Sequence, residues 1–488
     1  MGIDIGTSGP KAAVFSLDGD QISVASMGLS GGQGAVGGEL RSEDLWEAIK
    51  LVVQKAVSEA GHSPIKAVSI SSQGETFVPV DRQGSPLTPL VTNVNSTANR
   101  EADELATAIG QKQMYETTGL PSHGMYTLPK ILALRKEHPV IYADSVRFLC
   151  IEDYILSRVG IGAYISYSLA SRTYGFDVSK RTWSETILSH CGLDPSHLAI
   201  PVASGTPLGT ANASIAEELG LPKEAIWVAG GHDQGCCSIA ARGKSSQTTA
   251  VDGTGTFECL TFSGKCGPES VVGPIFPIEA DLTPEHYLTL AYVPGGIVPR
   301  WMSEQILGID PKAAPNYDSI LNFVDDEPTG IFVFPYLFGT GTPWLDSEAK
   351  GAIVGLTNNT TSHSIFRAGL EGITFELKWN IEMLGNQLHS IHSVGGGSRS
   401  RVWLQLKADI FGQPVTSFKG ETSCAGAAIC AAMGIGAFST WDEAAVAFLR
   451  PSGTFTPRKR ISEAYQSAFC RYKEIATQIF EFRFRTNL

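Results

Sequence analysis

Apolar and polar residues alternate in three short runs at the start of the chain, and a period of two is the mark of half-buried strands. The runs are Gly2-Ile3-Asp4-Ile5-Gly6, then Lys11 to Ser16, then Ile22 to Ser26. Asp18-Gly19 supplies the tight hairpin turn between the last two. The period then changes. Trp46, Ile49, Val53, Ala56 and Ala60 recur at helical spacing over 43–60, with Ser42 placed to cap the start and Gly61 to end it. Strands over 66–71 and 76–80 follow.

A similar order returns later. A hairpin pattern over 247–262 surrounds Asp252-Gly253-Thr254-Gly255-Thr256, and then come a helix over 364–384, a strand running into Gly395-Gly396-Gly397, a helix over 400–411 and a strand over 414–418. The repeated order predicts an α/β protein of two domains, an actin-like ATPase fold with ribonuclease H-like halves and an interdomain cleft. The prolines at 201, 207 and 222, ahead of the apolar run Ile226-Trp227-Val228-Ala229, place the change of domain there, giving 1–229 and 230–488. At 488 residues the chain exceeds what one core serves, and a cleft between two domains is the natural ligand site.

Composition narrows the function. With 43% hydrophobic and 18% charged residues, the chain reads as an ordinary globular protein. Its net charge of -12, with no Lys/Arg run, argues against a nucleic-acid partner. Nine cysteines without a Cys-x-x-Cys pair fit a reducing compartment, so a cytoplasmic protein is expected. No apolar run reaches the roughly 18 to 20 residues of a membrane span, and no signal-peptide pattern opens the chain.

Four segments carry chemistry. Asp4-Ile5-Gly6-Thr7-Ser8-Gly9 with Lys11 puts a carboxylate, glycines, hydroxyls and an ammonium around one hairpin, a set able to hold nucleotide phosphates and Mg2+. Asp252-Gly253-Thr254-Gly255-Thr256 is the matching turn, whose glycines and hydroxyls offer further donors to phosphate. Gly230-Gly231-His232-Asp233-Gln234-Gly235 joins an apolar strand to an Ala-rich helix, so Asp233 is placed to accept a proton from an attacking hydroxyl; the bland reading is a helix N-cap. Gly395-Gly396-Gly397-Ser398 lets a flat adenine lie on bare backbone. Gly32-Gln33-Gly34-Ala35-Val36-Gly37 matches a dinucleotide fingerprint but lacks its strand and helix. Gly243-Lys244-Ser245 lacks the first glycine of a P-loop, and His389 and His392 would point to opposite faces of a strand.

Together these segments resemble the FGGY carbohydrate kinases, a family that includes glycerol, xylulose, gluconate and ribulose kinases. The likeness runs from Asp4 to about Met433 and includes Tyr126-Thr127-Leu128-Pro129-Lys130-Ile131-Leu132, with Ala133 in place of the usual Trp, as well as 350–356 and 367–372. It implies phosphorylation of a hydroxyl of a sugar or polyol, such as a ketose like xylulose or a related polyol or aldonate, with ATP and Mg2+ as cofactors. Asp233 would be the general base, and Asp4 and Asp233 would hold the metal. Gly6, Thr7, Ser8, Lys11, Gly253, Thr254 and Gly255 would meet the phosphates, and Gly395, Gly396, Gly397, Ser398, Gly426 and Ala427 the adenosine. Gln73, Gly74, Glu75, Asn93, Asn95, Tyr126 and Gln234 would meet the substrate. Glycerol-type members carry Gln-Arg-Glu-Thr where this chain has Gln73-Gly74-Glu75-Thr76, and a Trp and an Asp where it has Asn93 and Asn95. The implied partner is a small molecule, and a homodimer is admitted. A non-catalytic sugar sensor on the same scaffold is the alternative. An actin-like chaperone or filament ATPase would need neither the Gln73 to Glu75 loop nor His232-Asp233-Gln234.

Overall fold

The computed structural model describes residues 1–29, 40–61, 63–92, 98–244, 248–255, 257–310, 316–322, 326–337 and 339–480. The first six-stranded sheet has the order Pro207–Thr210, Ile226–His232, Ala67–Ser72, Gly2–Gly6, Gly9–Phe15, Gln21–Ser26. The last three form the expected antiparallel meander. Ala67–Ser72 runs parallel to Gly2–Gly6, and Ile226–His232 runs parallel to Ala67–Ser72. Every residue of Ala67–Ser72 is buried, as a central strand covered on both faces requires. Helix Ser42–Glu59 packs its Leu45, Ile49, Val52, Val53 and Ala56 stripe into the core. Ser42 is itself the first helical residue and Arg41 takes the cap position without a side-chain cap bond. Its guanidinium instead holds Asp44 in the first turn at 2.8 Å.

The second sheet has seven strands in the order Ile278–Ala280, Tyr287–Pro294, Phe257–Gly264, Thr249–Thr254, Ser390–Gly395, Val415–Phe418, Pro451–Phe455. Thr249–Thr254, Ser390–Gly395 and Val415–Phe418 are mutually parallel. Helix Ser362–Leu384 and helix Lys459–Ile479 fill this half's core with Phe366, Leu370, Ile373, Tyr465, Phe469 and Tyr472.

A third, smaller cluster sits where the halves meet, built by helix Asp233–Arg242 and helix Thr422–Gly434. Gly426 lets these helices touch, since a Cβ there would lie 2.1 Å from the Cys236 carbonyl oxygen. The division expected at 229/230 falls inside strand Ile226–His232, which completes the first sheet by pairing His232 with Ser72. The prolines read as a domain change instead serve the first half: Pro201 lies in the short strand Ile200–Val202 and Pro207 opens the edge strand, where a missing N–H is tolerated. No helix among the described residues is long and apolar enough to cross a membrane.

Parallel strands put their carboxyl ends on one edge. In the first half that edge carries residues 7–8, 73–75 and 233; in the second it carries 255 and 396–398. Ligands of α/β sheets gather at such an edge.

Candidate active site

Asp233 is the first residue of its helix, with His232 as the cap, so it is not the N-cap of the bland reading. Its carboxylate is about a quarter exposed (24%) and meets the helix N-terminus. Burial raises its pKa, His232 opposes that rise, and the charges of Glu75 and Glu279 add to it. The imidazole of His232 stands between two carboxylates: Nε2 lies 3.3 Å from Asp233 Oδ1, and Nδ1 lies 2.9 Å from Glu279 Oε1. The backbone N–H of His232 donates to Ser168 Oγ at 3.0 Å, which fixes the strand end from behind.

In the first hairpin Gly6 pairs with Gly9 across the turn that carries Thr7 and Ser8. Gly9 has a φ of +130°, and a Cβ there would lie 2.1 Å from the Met27 carbonyl oxygen. Lys11 Nζ is 2.7 Å from Glu421 Oε2, and Arg399 lies 3.8 Å from the other oxygen of that carboxylate. Glu421 thereby links the first hairpin to the glycine turn of the second half.

The second hairpin approaches the Asp233 helix, since a Cβ on Gly253 would lie 3.0 Å from Gln234 Oε1. Thr254 is tied into the glycine turn of the second half. Its hydroxyl donates to the Val394 carbonyl at 2.7 Å and accepts from the Ser398 N–H at 3.1 Å, while its carbonyl accepts from the Gly396 N–H at 3.0 Å. The Gly255 N–H is likewise taken by the Phe257 carbonyl at 3.1 Å. The three glycines also divide their roles. Gly395, at φ +88°, passes close to the Thr254 carbonyl, and a Cβ on Gly397 would meet the Trp403 ring at 2.7 Å. Gly396 alone of the three is open, with nothing nearer to its Cβ position than the Thr254 oxygen at 4.0 Å. Gly426 and Ala427 lie within the helix contact behind, Ala427 fully buried.

On the substrate side Gln73, Gly74 and Glu75 leave the end of Ala67–Ser72, and Glu75 is held at a φ of 65°. Its carbonyl accepts from Thr127 Oγ1 at 2.9 Å and from Lys130 Nζ at 3.0 Å, so the Tyr126-to-Leu132 signature braces this loop. Burial pushes the Glu75 carboxyl up, but Arg172, donating from Nε at 2.7 Å, together with the charges of His232 and Lys130 outweighs it and holds the pKa below the ordinary value. Tyr126 is fully buried, stacked on Tyr174 with ring centres 5.3 Å apart, and the Arg172 guanidinium lies 5.4 Å from its ring centre. Asn93 and Asn95 fall outside the described residues, as does Gly32 to Gly37. Sequence reasoning missed Arg172 and Glu279. The available signal was a charged residue inside an otherwise apolar or small run, Ala170-Ser171-Arg172 and Ile278-Glu279-Ala280.

Two family models match the chain: the N-terminal domain of the FGGY family of carbohydrate kinases over residues 1–240 and its C-terminal domain over residues 251–435. The chain belongs to the FGGY family of carbohydrate kinases. It is 26% identical over 483 residues to a xylulose kinase of Staphylococcus xylosus, covering 97% of this chain and 99% of that protein. It is 27% identical over 464 residues to a gluconokinase of Bacillus subtilis, covering 91% and 88%. The ligand-bound xylulose kinase structure from Lactobacillus acidophilus superposes with a TM-score of 0.88 at 22% identity, over 99% of this chain and 98% of that one, and so shares the fold.

As an FGGY carbohydrate kinase the protein uses ATP with Mg2+. The acidic residues present fit the metal. Asp4 is buried and accepts from Ser71 Oγ at 2.8 Å. Burial and then the charge of Asp233 push its pKa up to about 7, a strain that a divalent cation held there would relieve. No group of three or more His, Cys, Asp or Glu able to hold a metal occurs among the described residues. Mg2+ takes one or two carboxylates and completes its shell with water and phosphate, and Asp4 with Asp233 fits that need.

Proposed function

We propose that this FGGY kinase phosphorylates a hydroxyl of a free sugar or polyol, with Asp233 as the general base. The observation that carries the reading is the position of Asp233 at the carboxyl edge of the first sheet, beside the Gln73-to-Glu75 loop and held against the His232–Glu279 pair. The relatives named xylulose kinase and gluconokinase support a polyhydroxy acceptor.

Asp233 accepts the proton of the attacking hydroxyl, and His232, itself anchored on Glu279, keeps the carboxylate ionised and oriented. Gln73, Glu75, Tyr126 and Gln234 surround the acceptor, together with Asn93 and Asn95 from the loop outside the described residues. The turn at Gly6, Thr7 and Ser8, with Lys11, and the edge at Gly253 and Gly255 border the phosphates. Thr254 and Ser398 act from behind by fastening the glycine turn, where Gly396 gives the adenine its flat support and helix Thr422–Gly434 stands beyond it. Mg2+ held by Asp4 and Asp233 would offset charge on the transferring phosphoryl group.

A coupled ADP-release assay over ketoses, pentitols, tetritols, glycerol and aldonates tests the reading. At least one of these compounds is expected to raise ADP release well above the rate without acceptor. Binding of several with stimulation by none would replace the kinase by a sugar sensor.

A further inference from the structure

Arg172 crosses directly over Gly74. A Cβ at position 74 would lie 2.9 Å from Arg172 Cγ and 3.1 Å from its Cβ, so the absence of a side chain there is what admits the arginine stem. The guanidinium that arrives is buried, with 4% of the side chain exposed, among Glu75 at 3% and Glu279 at 0%. Nε donates to Glu75 Oε1 at 2.7 Å. Among the described residues Nη1 has no hydrogen-bond acceptor, the Glu279 Oε2 atom standing 3.7 Å away. Among the described residues three more buried polar atoms of the same neighbourhood are without hydrogen-bond partners, Gln73 Oε1, Tyr126 Oη and Glu279 Oε2 itself.

We infer that Arg172 is a specificity-determining residue of the acceptor side, and that the group around it selects an uncharged polyhydroxy compound over one bearing a carboxylate. The inference rests on the kinase reading above. The four open atoms are a donor, two acceptors and a hydroxyl that can be either, which matches alcohols, since each alcohol both donates and accepts. A carboxylate only accepts, and it would enter a group in which one guanidinium already faces Glu75 and Glu279, with Asp233 beyond His232. The other nearby cations among the described residues are already taken, and His232 stands between Asp233 and Glu279. Lys130 bonds the carbonyls of Glu75 and Thr92 at 3.0 and 2.9 Å, and Lys11 is on Glu421. Residues 93–97 contain no Lys or Arg.

The test measures binding and turnover separately. In titration calorimetry with a ketopentose, a pentitol, a tetritol and gluconate, at least one neutral compound binds at least ~100-fold more tightly than gluconate, the scale of discrimination that mismatched buried polar groups produce. Gluconate binding as well as the best neutral compound overturns the inference, as does binding by none of the neutral ones. Neutral binding without ADP release leaves this selectivity standing and defeats the kinase reading instead. For Arg172 itself, Arg172→Lys and Gly74→Ala each raise KM for the neutral acceptor at least ~10-fold and leave KM for ATP unchanged. If Arg172→Lys fails to fold, Gly74→Ala decides. A folded Gly74→Ala with unchanged acceptor KM removes Arg172 from the specificity site.

Discussion

His232 acts on Asp233 through charge, and the pH profile reads that action. Burial lifts the Asp233 carboxyl, and the imidazole at 3.3 Å pulls it back down. A base must be ionised to accept a proton, so kcat/KM falls as pH drops through the raised pKa, above the ordinary carboxylate range. Replacing His232 by Asn removes the opposing charge, and the acidic limb is expected to move to still higher pH in a profile from about pH 5 to about pH 9. A limb that stays put or moves down would show that His232 does not tune the base. Asp4 and Asp233 were readable as candidates because each is a carboxylate set between glycines, Asp4 within an apolar strand and Asp233 just after one. Arg172 and Glu279 were not, because their partners lie 97 residues away at Glu75 and 47 residues away at His232, and no local period records a pairing that only folding makes. Thr254 was legible as a turn residue but its bonding partner was not, since its hydroxyl donates to the Val394 carbonyl, 140 residues on.

Helix Thr422–Gly434 and helix Asp233–Arg242 meet at Gly426, where backbone touches backbone. Gly426→Ala forces a methyl to within 2.1 Å of the Cys236 carbonyl, and room for it comes only by moving one helix off the other. Overpacking of this kind costs about 1–3 kcal/mol, so a lower melting temperature is expected together with a reduced kcat. Unchanged melting would mean that the two helices are not packed as described. Long elements were readable from period alone: the helix expected over 364–384 is Ser362–Leu384, started by Thr361 accepting from the Ser364 N–H at 3.1 Å. Pairing was not. The strand expected over 76–80 exists as Phe77–Val80, yet it joins Arg147–Cys150 rather than the main sheet, a choice that tertiary contacts make.

Across the whole molecule, buried carboxyls set the pH dependence of stability. Glu376 accepts from Tyr336 Oη at 2.8 Å and Tyr472 Oη at 2.6 Å, and burial pushes its pKa up to about 7; Glu152, accepting from the Ser166 and Gly230 N–H groups, is pushed up to about 7 as well. A folded pKa above the unfolded value of 4.5 means the folded state holds the proton longer, so stability is full below 4.5 and declines as pH rises through about 7. Glu376→Gln keeps an oxygen for both phenols and carries no charge, so it is expected to flatten that decline by up to about 3 kcal/mol in urea denaturation at several pH values. The two-sheet plan was legible because the same element order occurs twice. The position of its division was not, since the last strand of the first sheet follows the prolines that seemed to mark it. On the proposed reading acceptor chemistry lies mainly in the first half and much of the nucleotide contact in the second, so one substitution at their meeting point should separate them. Asp233→Asn is expected to bind ATP within a few-fold of the wild type by calorimetry while kcat falls at least ~100-fold, the loss that follows removal of a general base. Near-normal turnover in that variant would contradict the account.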